Sequence, residues 1–299
     1  MFILFASALL TAVLGDLPLV RGERLTNVKV TYRTYGTLNA SKSNVVVVPT
    51  WFNGKSEDFS RFVGRGGLVD DTSWYVVVID ALGNGNSTSP SNHVRRGKAF
   101  PAITIRDMVE SQHRLLTQHL GFERVQGLVG VSMGGMQVLQ WMVSYPDFMK
   151  CGVSIVSTPK MSERDIALWS KAFPIGDRDE GNEPKPDVLS RLLGMLGPGL
   201  KMIEKYREPF NAIRQLEAIT RHDISVDGSL EKAAQRMRAP LLTVLATEDK
   251  ALSPVTAKQF AELVRGPVIE LRGPCGHKAY DCELRAISGP IAKFLSEAR

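Results

Sequence analysis

The side chains with the most chemistry to offer are a serine, a histidine and an acid that stand far apart along the chain. Ser132 lies in Gly130-Val-Ser-Met-Gly134, where the apolar run Val125 to Val131 meets a helix-compatible stretch from Gly135 to Tyr145. The order is strand, sharp turn, helix. A G-x-S-x-G turn of this kind holds its serine in strained backbone at the top of a sheet. Glycines flank it because a Cβ there would strike the neighbouring strand or helix. Ser132 is therefore the expected nucleophile. The amide N–H of Met133, at the first turn of the helix, points where a tetrahedral intermediate would carry negative charge. The plainer alternative is a small-residue turn whose serine merely caps the helix, and the rest of the chain decides between the two.

A serine hydroxyl is a poor nucleophile at neutral pH and needs a base to take its proton. The five histidines are His93, His113, His119, His222 and His277. His113 and His119 fall inside a predicted helix, His93 in a Pro/Asn-rich loop, and His222 in a helical region beside Asp223. Only His277, in Gly273-Pro-Cys-Gly-His277, follows the last predicted strand, where the carboxyl edge of a sheet would bring it over the serine. The base needs an acid to fix its tautomer and stabilise the imidazolium. Ala246-Thr-Glu-Asp-Lys250 offers two, Glu248 and Asp249. Asp249, followed by a short turn and Pro254, is the choice, with Glu248 as the fallback; the mundane alternative is that both are capping or solvent carboxylates.

These side chains need a parallel sheet to bring them together, and the chain has the rhythm of one. Leu25 to Gly36 alternates and is rich in β-branched residues, then turns at Gly36-Thr-Leu-Asn39, which reads as a hairpin at the sheet edge. Asn44 to Pro49 and Trp74 to Asp80 are continuous apolar runs, as in strands covered on both faces. The first empties into Thr50-Trp-Phe-Asn-Gly54, the position at which such a sheet carries its second oxyanion donor. Ile103 to Leu120 has helical spacing, with Gly121 as its stop. Cys151 to Ser157 is the next strand after the serine turn and its helix.

The rhythm then breaks. From about Thr158 to Arg238 there are only helical segments, around Arg164–Ala172, Val188–Leu196, Met202–Tyr206 and Ala212–Thr220, with a polar linker at Gly176–Pro186. This reads as a helical cap over the carboxyl edge of the sheet. Strand Pro240 to Ala246, a helix from Val255 to Val264, strand Val268 to Arg272 and a final helix near Ala286–Ala298 restore the alternation. The expected fold class is α/β: a mostly parallel sheet with helices on both faces and a helical cap inserted before the last two strands. The expected divisions are residues 1–15, a core of 16–157, the cap at 158–238 and the rest of the core at 239–299.

Composition narrows the function classes. A hydrophobic share of 43% with 23% charged residues is that of an ordinary folded chain and excludes intrinsic disorder. The net charge of +6 raises nucleic acid or a membrane surface as partners. The Lys and Arg residues are scattered, however, and no zinc finger, recognition helix or aromatic-basic interleave is present. The charge reads as a solvated surface, with no nucleic-acid partner and no stable membrane insertion expected; a homo-oligomer is compatible with this surface. Cys151, Cys275 and Cys282 make neither a disulfide framework nor a metal site, and no metal is expected. Cys275 and Cys282 flank a short loop that an oxidising compartment would let them bridge, although two free thiols is the preferred reading.

Met1 to Gly15 carries no charged side chain and ends on a small residue. It is long enough for the apolar core of a signal peptide, too short to span a bilayer as a helix, and lacks the leading Lys or Arg of most leaders. The competing reading is an apolar segment that packs on the domain. A cleaved leader would make the protein secreted or periplasmic; otherwise it is cytoplasmic.

Four stretches together carry a resemblance: Tyr32-Arg-Thr-Tyr-Gly-Thr-Leu-Asn39, Gly83-Asn-Gly-Asn-Ser-Thr-Ser-Pro-Ser-Asn92, Phe100-Pro-Ala-Ile-Thr-Ile-Arg-Asp-Met-Val109 and Gly130-Val-Ser-Met-Gly-Gly-Met-Gln137. They resemble the homoserine O-acetyltransferase branch of the α/β-hydrolase superfamily, which also contains esterases. The likeness covers nearly everything after about Asp16. It implies that Ser132, Asp249 and His277 form a triad and that the amides of Phe52 and Met133 form the oxyanion hole. It also implies an acetyl group passed from acetyl-CoA through an acyl-serine to homoserine, or, in the esterases, to water. Two departures weigh against homoserine. The family's catalytic histidine is followed by an aspartate that pairs with the substrate amino group, whereas Lys278 follows His277 here and would repel an ammonium. Trp51 and Phe52 replace a smaller, His-led loop. Trp51 and Lys278 are therefore the substrate-binding candidates.

Three functions follow. The first is a serine esterase on a small carboxylic ester, with no cofactor. The second is an O-acyltransferase with acetyl-CoA as acyl donor. The third is a binding protein that keeps the fold without catalysis; a broken triad would mark it, and the three residue types are all present.

Overall fold

Consecutive valines in Val45–Pro49 and Tyr75–Ile79 have no polar face to offer solvent, so these segments are stable only as strands covered on both sides. In the computed structural model they lie side by side, parallel, in the middle of a sheet. Residues 7–172 and 208–298 are described. Among them eight strands form one sheet in the order β1-β2-β4-β3-β5-β6-β7-β8. The strands are β1 Leu10–Pro18, β2 Arg24–Tyr35, β3 Val45–Pro49, β4 Tyr75–Ile79, β5 Val125–Val131, β6 Met149–Ile155, β7 Leu241–Ala246 and β8 Val268–Leu271. All neighbours from β4 through β8 pair parallel, while β1 and β2 are antiparallel additions at one edge.

The two-residue period of a strand sends successive side chains to opposite faces. Val45 and Val47 accordingly join one core with Val77, Ile79, Met108 of helix α1 (Ile105–Arg114) and Trp141 of helix α2 (Met133–Ser144). Val46 and Val48 join the other, with Val76, Val78, Phe59, Phe62 and the face Ile287, Ile291 and Leu295 of the last helix. Helices thus cover both faces, as expected. The remaining helices are α3 Glu163–Ala172, α4 Pro209–Thr220, α5 Leu230–Arg236, α6 Pro254–Leu263, the short α7 Ala279–Cys282 and the last, α8 Leu284–Glu297.

Three expectations need correction. The hairpin turn is not at Gly36: β2 pairs with β1 on one side and β4 on the other, so the hairpin is β1–β2 and β1 is the edge. Residues 10–15 are therefore part of the sheet, and a division after Gly15 cuts through β1. Alternation in β1 was hidden because its register shifts on both sides of Gly15, whose φ is +71°. The long helix of residues 103–120 ends as α1 at Arg114 and continues as one π-helical turn, Leu115–His119.

Between β6 and β7 the described residues contribute α3, α4 and α5, the last not anticipated from sequence. The Gly176–Pro186 linker and the helices expected at Val188–Leu196 and Met202–Tyr206 lie outside the described residues. Helix α3 reaches the loop after β7, where Trp169 Nε1 donates to the Ala251 carbonyl at 2.8 Å. Helix α4 reaches the loops after β3 and β4 through Asn211 and Gln215.

Those two loops share a buried anchor. Asp80, only 1% exposed, accepts from Thr31 Oγ1, from the Ser56 amide and hydroxyl, and from Asn84 Nδ2, at 2.7 to 2.9 Å. A buried carboxylate is tolerated only when its lone pairs are filled in this way.

Candidate active site

Every residue of β5 is buried, and the strand leads straight into Ser132 with φ 55° and ψ −122°. A non-glycine residue rarely holds this conformation unless its surroundings enforce it. Here the Ser132 amide still donates to the Ile155 carbonyl at 2.9 Å, as though the strand continued, while α2 begins at the next residue. The glycines make the turn fit. A Cβ on Gly130 would lie 2.2 Å from the Gly134 carbonyl oxygen, and one on Gly134 would lie 2.5 Å from that of Pro49.

Asp249 sits in the turn after β7. Its Oδ1 accepts from the amides of Ala251 and Leu252 at 2.8 and 3.0 Å, which fixes the carboxylate and leaves Oδ2 facing His277. His277 lies in a single 3-10 turn, Gly276–Lys278, after β8. Its Nδ1 stands 2.7 Å from Asp249 Oδ2 and its Nε2 stands 2.9 Å from Ser132 Oγ. A carboxylate can only accept, so Nδ1 carries the proton and donates to Asp249, which leaves Nε2 to accept from the serine hydroxyl. His277 and Asp249 are each 8% exposed. A hydroxyl so placed can pass its proton to Nε2 as it attacks a carbonyl carbon, with the imidazolium stabilised by the carboxylate.

The three side chains expected to work together are thus brought into one hydrogen-bonded line. Glu248 is exposed, and its carbonyl lies against Gly276 of the histidine loop. The other histidines are engaged elsewhere. His93 Nε2 lies 3.1 Å from the Thr26 carbonyl, and His113 stacks on Tyr145. His119 meets the edge of Tyr32. His222 is buried, and desolvation pushes its pKa down to about 4.

Met133 opens α2, and Phe52 lies in the loop after β3. Neither amide donates to a carbonyl or side chain among the described residues. Gln137 joins the two segments: its Nε2 donates to the Thr50 carbonyl at 2.9 Å and to the Met133 carbonyl at 3.0 Å. Gln112 Nε2 donates in turn to Gln137 Oε1, and Trp141 Nε1 to Gln112 Oε1. Trp51 packs in an aromatic cluster, its ring centroid 3.9 Å from that of Phe59 and 5.9 Å from that of Tyr280. Lys278 is half-buried beside His277, with no acidic partner among the described residues.

The preference for free thiols at residues 275 and 282 is overturned. Cys275 and Cys282 form a disulfide, because the 3-10 turn and α7 fold the loop back until the two Cα atoms are 6.5 Å apart. Cys151 is buried and free, and desolvation raises its pKa to about 12, so it is an inert thiol. Among the described residues no group of three or more His, Cys, Asp or Glu side chains could hold a metal ion. No helix among them is long and apolar enough to cross a membrane.

Sequence reasoning missed three supports: Gln137, Gln215 and Asp80. Only Gln137 carried a local signal, since it stands one helical turn after Met133 within the quoted Ser132–Gln137 run and so shares its face.

A strained serine between strand and helix, followed in chain order by its acid and histidine at one sheet edge, defines the α/β-hydrolase class. The chain matches the model of the alpha/beta hydrolase fold family over residues 44–281 and belongs to that family. Within it, the chain is 38% identical over 156 residues to the ethyl acetate hydrolase of Pseudomonas veronii, covering 51% of this chain and 45% of that protein. It is 29% identical over 353 aligned positions to the homoserine O-acetyltransferase of Methanococcoides burtonii, covering 94% of this chain and 72% of the other. The fold matches an acetylester hydrolase from Corynebacterium glutamicum with a TM-score of 0.83 at 22% identity, over 97% of this chain and 96% of that one. The match spans less than half the length of the first of these relatives. The relatives are enzymes, both esterases and acetyltransferases, in keeping with the resemblance read from the motifs.

Proposed function

We propose that the protein is a serine esterase that cleaves a small carboxylic ester through an acyl-serine intermediate. The observation that supports this reading is the hydrogen-bond line from Ser132 Oγ through His277 to Asp249, at 2.9 and 2.7 Å. Ser132 Oγ attacks the ester carbonyl carbon and gives its proton to His277 Nε2. The carbonyl oxygen, now negative, accepts from the Met133 and Phe52 amides, the two donors this reading assigns to it. The tetrahedral intermediate collapses, the C–O bond to the alcohol breaks, and His277 returns its proton to the departing oxygen. Water repeats the sequence on the acyl-serine and releases the carboxylic acid. The chemistry asks for no metal and no cofactor.

Acyl transfer is the second reading, favoured by the alignment with a homoserine O-acetyltransferase along 94% of the chain. It uses the same three side chains, with acetyl-CoA as donor and an alcohol in place of water. Lys278, next in the chain to His277, weighs against an acceptor that carries an ammonium group, since like charges repel. The two readings part at deacylation. With p-nitrophenyl acetate as donor and candidate alcohols, homoserine among them, as acceptors, an esterase yields acetate whatever alcohol is added. Diversion of most of the acetyl group to an alcohol ester would replace the esterase reading with the transferase one.

A further inference from the structure

Helix α4 turns two amide side chains, Asn211 and Gln215, toward loops at the carboxyl ends of β3 and β4. Four residues apart, they share one helix face. Asn211 holds the Gly83–Asn92 stretch: its Oδ1 accepts from the Ser91 amide at 3.0 Å and its Nδ2 donates to Ser91 Oγ at 2.9 Å. Gln215 is fully buried and bridges both loops. Its Nε2 donates to the Leu82 carbonyl at 3.0 Å, and its Oε1 accepts from the Asn53 amide at 2.7 Å.

Asn53 directly follows Phe52 and has φ +55°. Asparagine is one of the few non-glycine residues that adopt this left-handed region readily, so Asn53 can turn the chain sharply just after Phe52. The Asn53 N–H and the Phe52 carbonyl belong to one planar peptide unit. A hydrogen bond on that N–H therefore fixes the plane immediately after Phe52. On the near side, Gln137 of α2 already holds the Thr50 carbonyl. The segment carrying the Phe52 amide is thus pinned upstream by the helix that starts after Ser132 and downstream by a side chain of the cap.

We propose that Gln215 is a positioning residue for the reaction: from the cap, it sets the direction of the Phe52 N–H toward the developing oxyanion. This rests on the assignment of Ser132 as nucleophile and Phe52 as an oxyanion donor. It gives α4 a part in transition-state stabilisation beyond covering the site.

The test is Gln215→Met, which keeps the volume and removes both hydrogen bonds, compared with Asn211→Ala, which cuts the other α4 contact and leaves Asn53 alone. Active sites are titrated by the p-nitrophenol burst, so that rates refer to competent enzyme only. Losing an oxyanion donor outright costs about 10²–10³ in kcat, and a donor present but misaligned costs less, about 10- to 100-fold. Gln215→Met is expected to lose kcat by that factor with KM within about threefold, because the contact matters in the transition state and not in the ground state. Its Ki for an alkyl trifluoromethyl ketone, which forms an oxyanion on the serine, should rise by the factor that kcat/KM falls. Asn211→Ala should keep kcat within about threefold. If Gln215→Met does not accumulate folded, Gln215→Ala makes the same comparison. Wild-type kcat per active site in the Gln215 variant, or an equal loss in Asn211→Ala, overturns the proposal. Ser132→Ala in the same assay separates the two claims: turnover in that variant sinks the mechanism itself, whereas an inactive Ser132→Ala beside a fully active Gln215→Met sinks only the role of Gln215.

Discussion

Gly276 passes so close to Glu248 that a Cβ on the glycine would lie 2.9 Å from the Glu248 carbonyl oxygen, and its φ of +54° is one that side chains disfavour. The loops after β7 and β8 are therefore packed backbone to backbone at this point. Glu248 contributes its main chain as the buttress and leaves its carboxylate exposed, so the acid that meets His277 is the next residue, Asp249.

That division of labour predicts unequal mutants. Asp249→Asn keeps the shape but removes the charge that stabilises the imidazolium, and should lower kcat by about 10²–10⁴-fold. Glu248→Gln should leave kcat within about twofold, as an exposed carboxylate contributes little. Steady-state kinetics on p-nitrophenyl acetate checks both, and a larger loss in the Glu248 variant would reassign the acid.

The bridge between Cys275 and Cys282 encloses the histidine. Closing so short a loop removes unfolded-state freedom worth about 2–3 kcal/mol in the chain-entropy account. The double variant Cys275→Ser, Cys282→Ser should therefore unfold at lower temperature and lose kcat as His277 gains freedom. Thermal denaturation with kinetics checks this; a variant with unchanged Tm and unchanged kcat contradicts it.

His222 gives the fold a pH dependence of its own. Desolvation lowers its pKa from 6.5 to about 4 in the folded state. Below pH 6.5 the unfolded chain binds a proton there that the folded chain refuses, so stability is complete above 6.5 and falls as pH drops toward 4. The full difference corresponds to roughly 3 kcal/mol. His222→Gln should flatten this part of the profile. Tm measured between pH 4 and 7 for both proteins checks it, and parallel profiles would show that His222 does not carry the effect.

What could be read from sequence was what is local. The Gly130–Gly134 turn and the valine runs state their own geometry, because strain at Ser132 and burial on both faces of β3 and β4 are properties of a few adjacent residues. The acid is read as Asp249 with its neighbour Glu248 as fallback, and the folded structure separates them, since Asp249 is buried against His277 while Glu248 is exposed. The β1–β2 hairpin does not show in the sequence because the register shifts on both sides of Gly15 break the alternation of β1. The contacts of Gln215 depend on segments that meet only after folding, and no spacing in the chain announces them, whereas the spacing of Cys275 and Cys282 allows a bridge without deciding between it and two free thiols.

The central claim is that Ser132 becomes acylated. Rapid quenching of the enzyme with p-nitrophenyl acetate, followed by peptide mass analysis, tests it most directly. The account predicts a burst of p-nitrophenol matching the enzyme concentration, one acetyl group on the peptide carrying Ser132, and neither burst nor turnover in a folded Ser132→Ala. An acetyl group on another residue, or turnover retained in that variant, would contradict it.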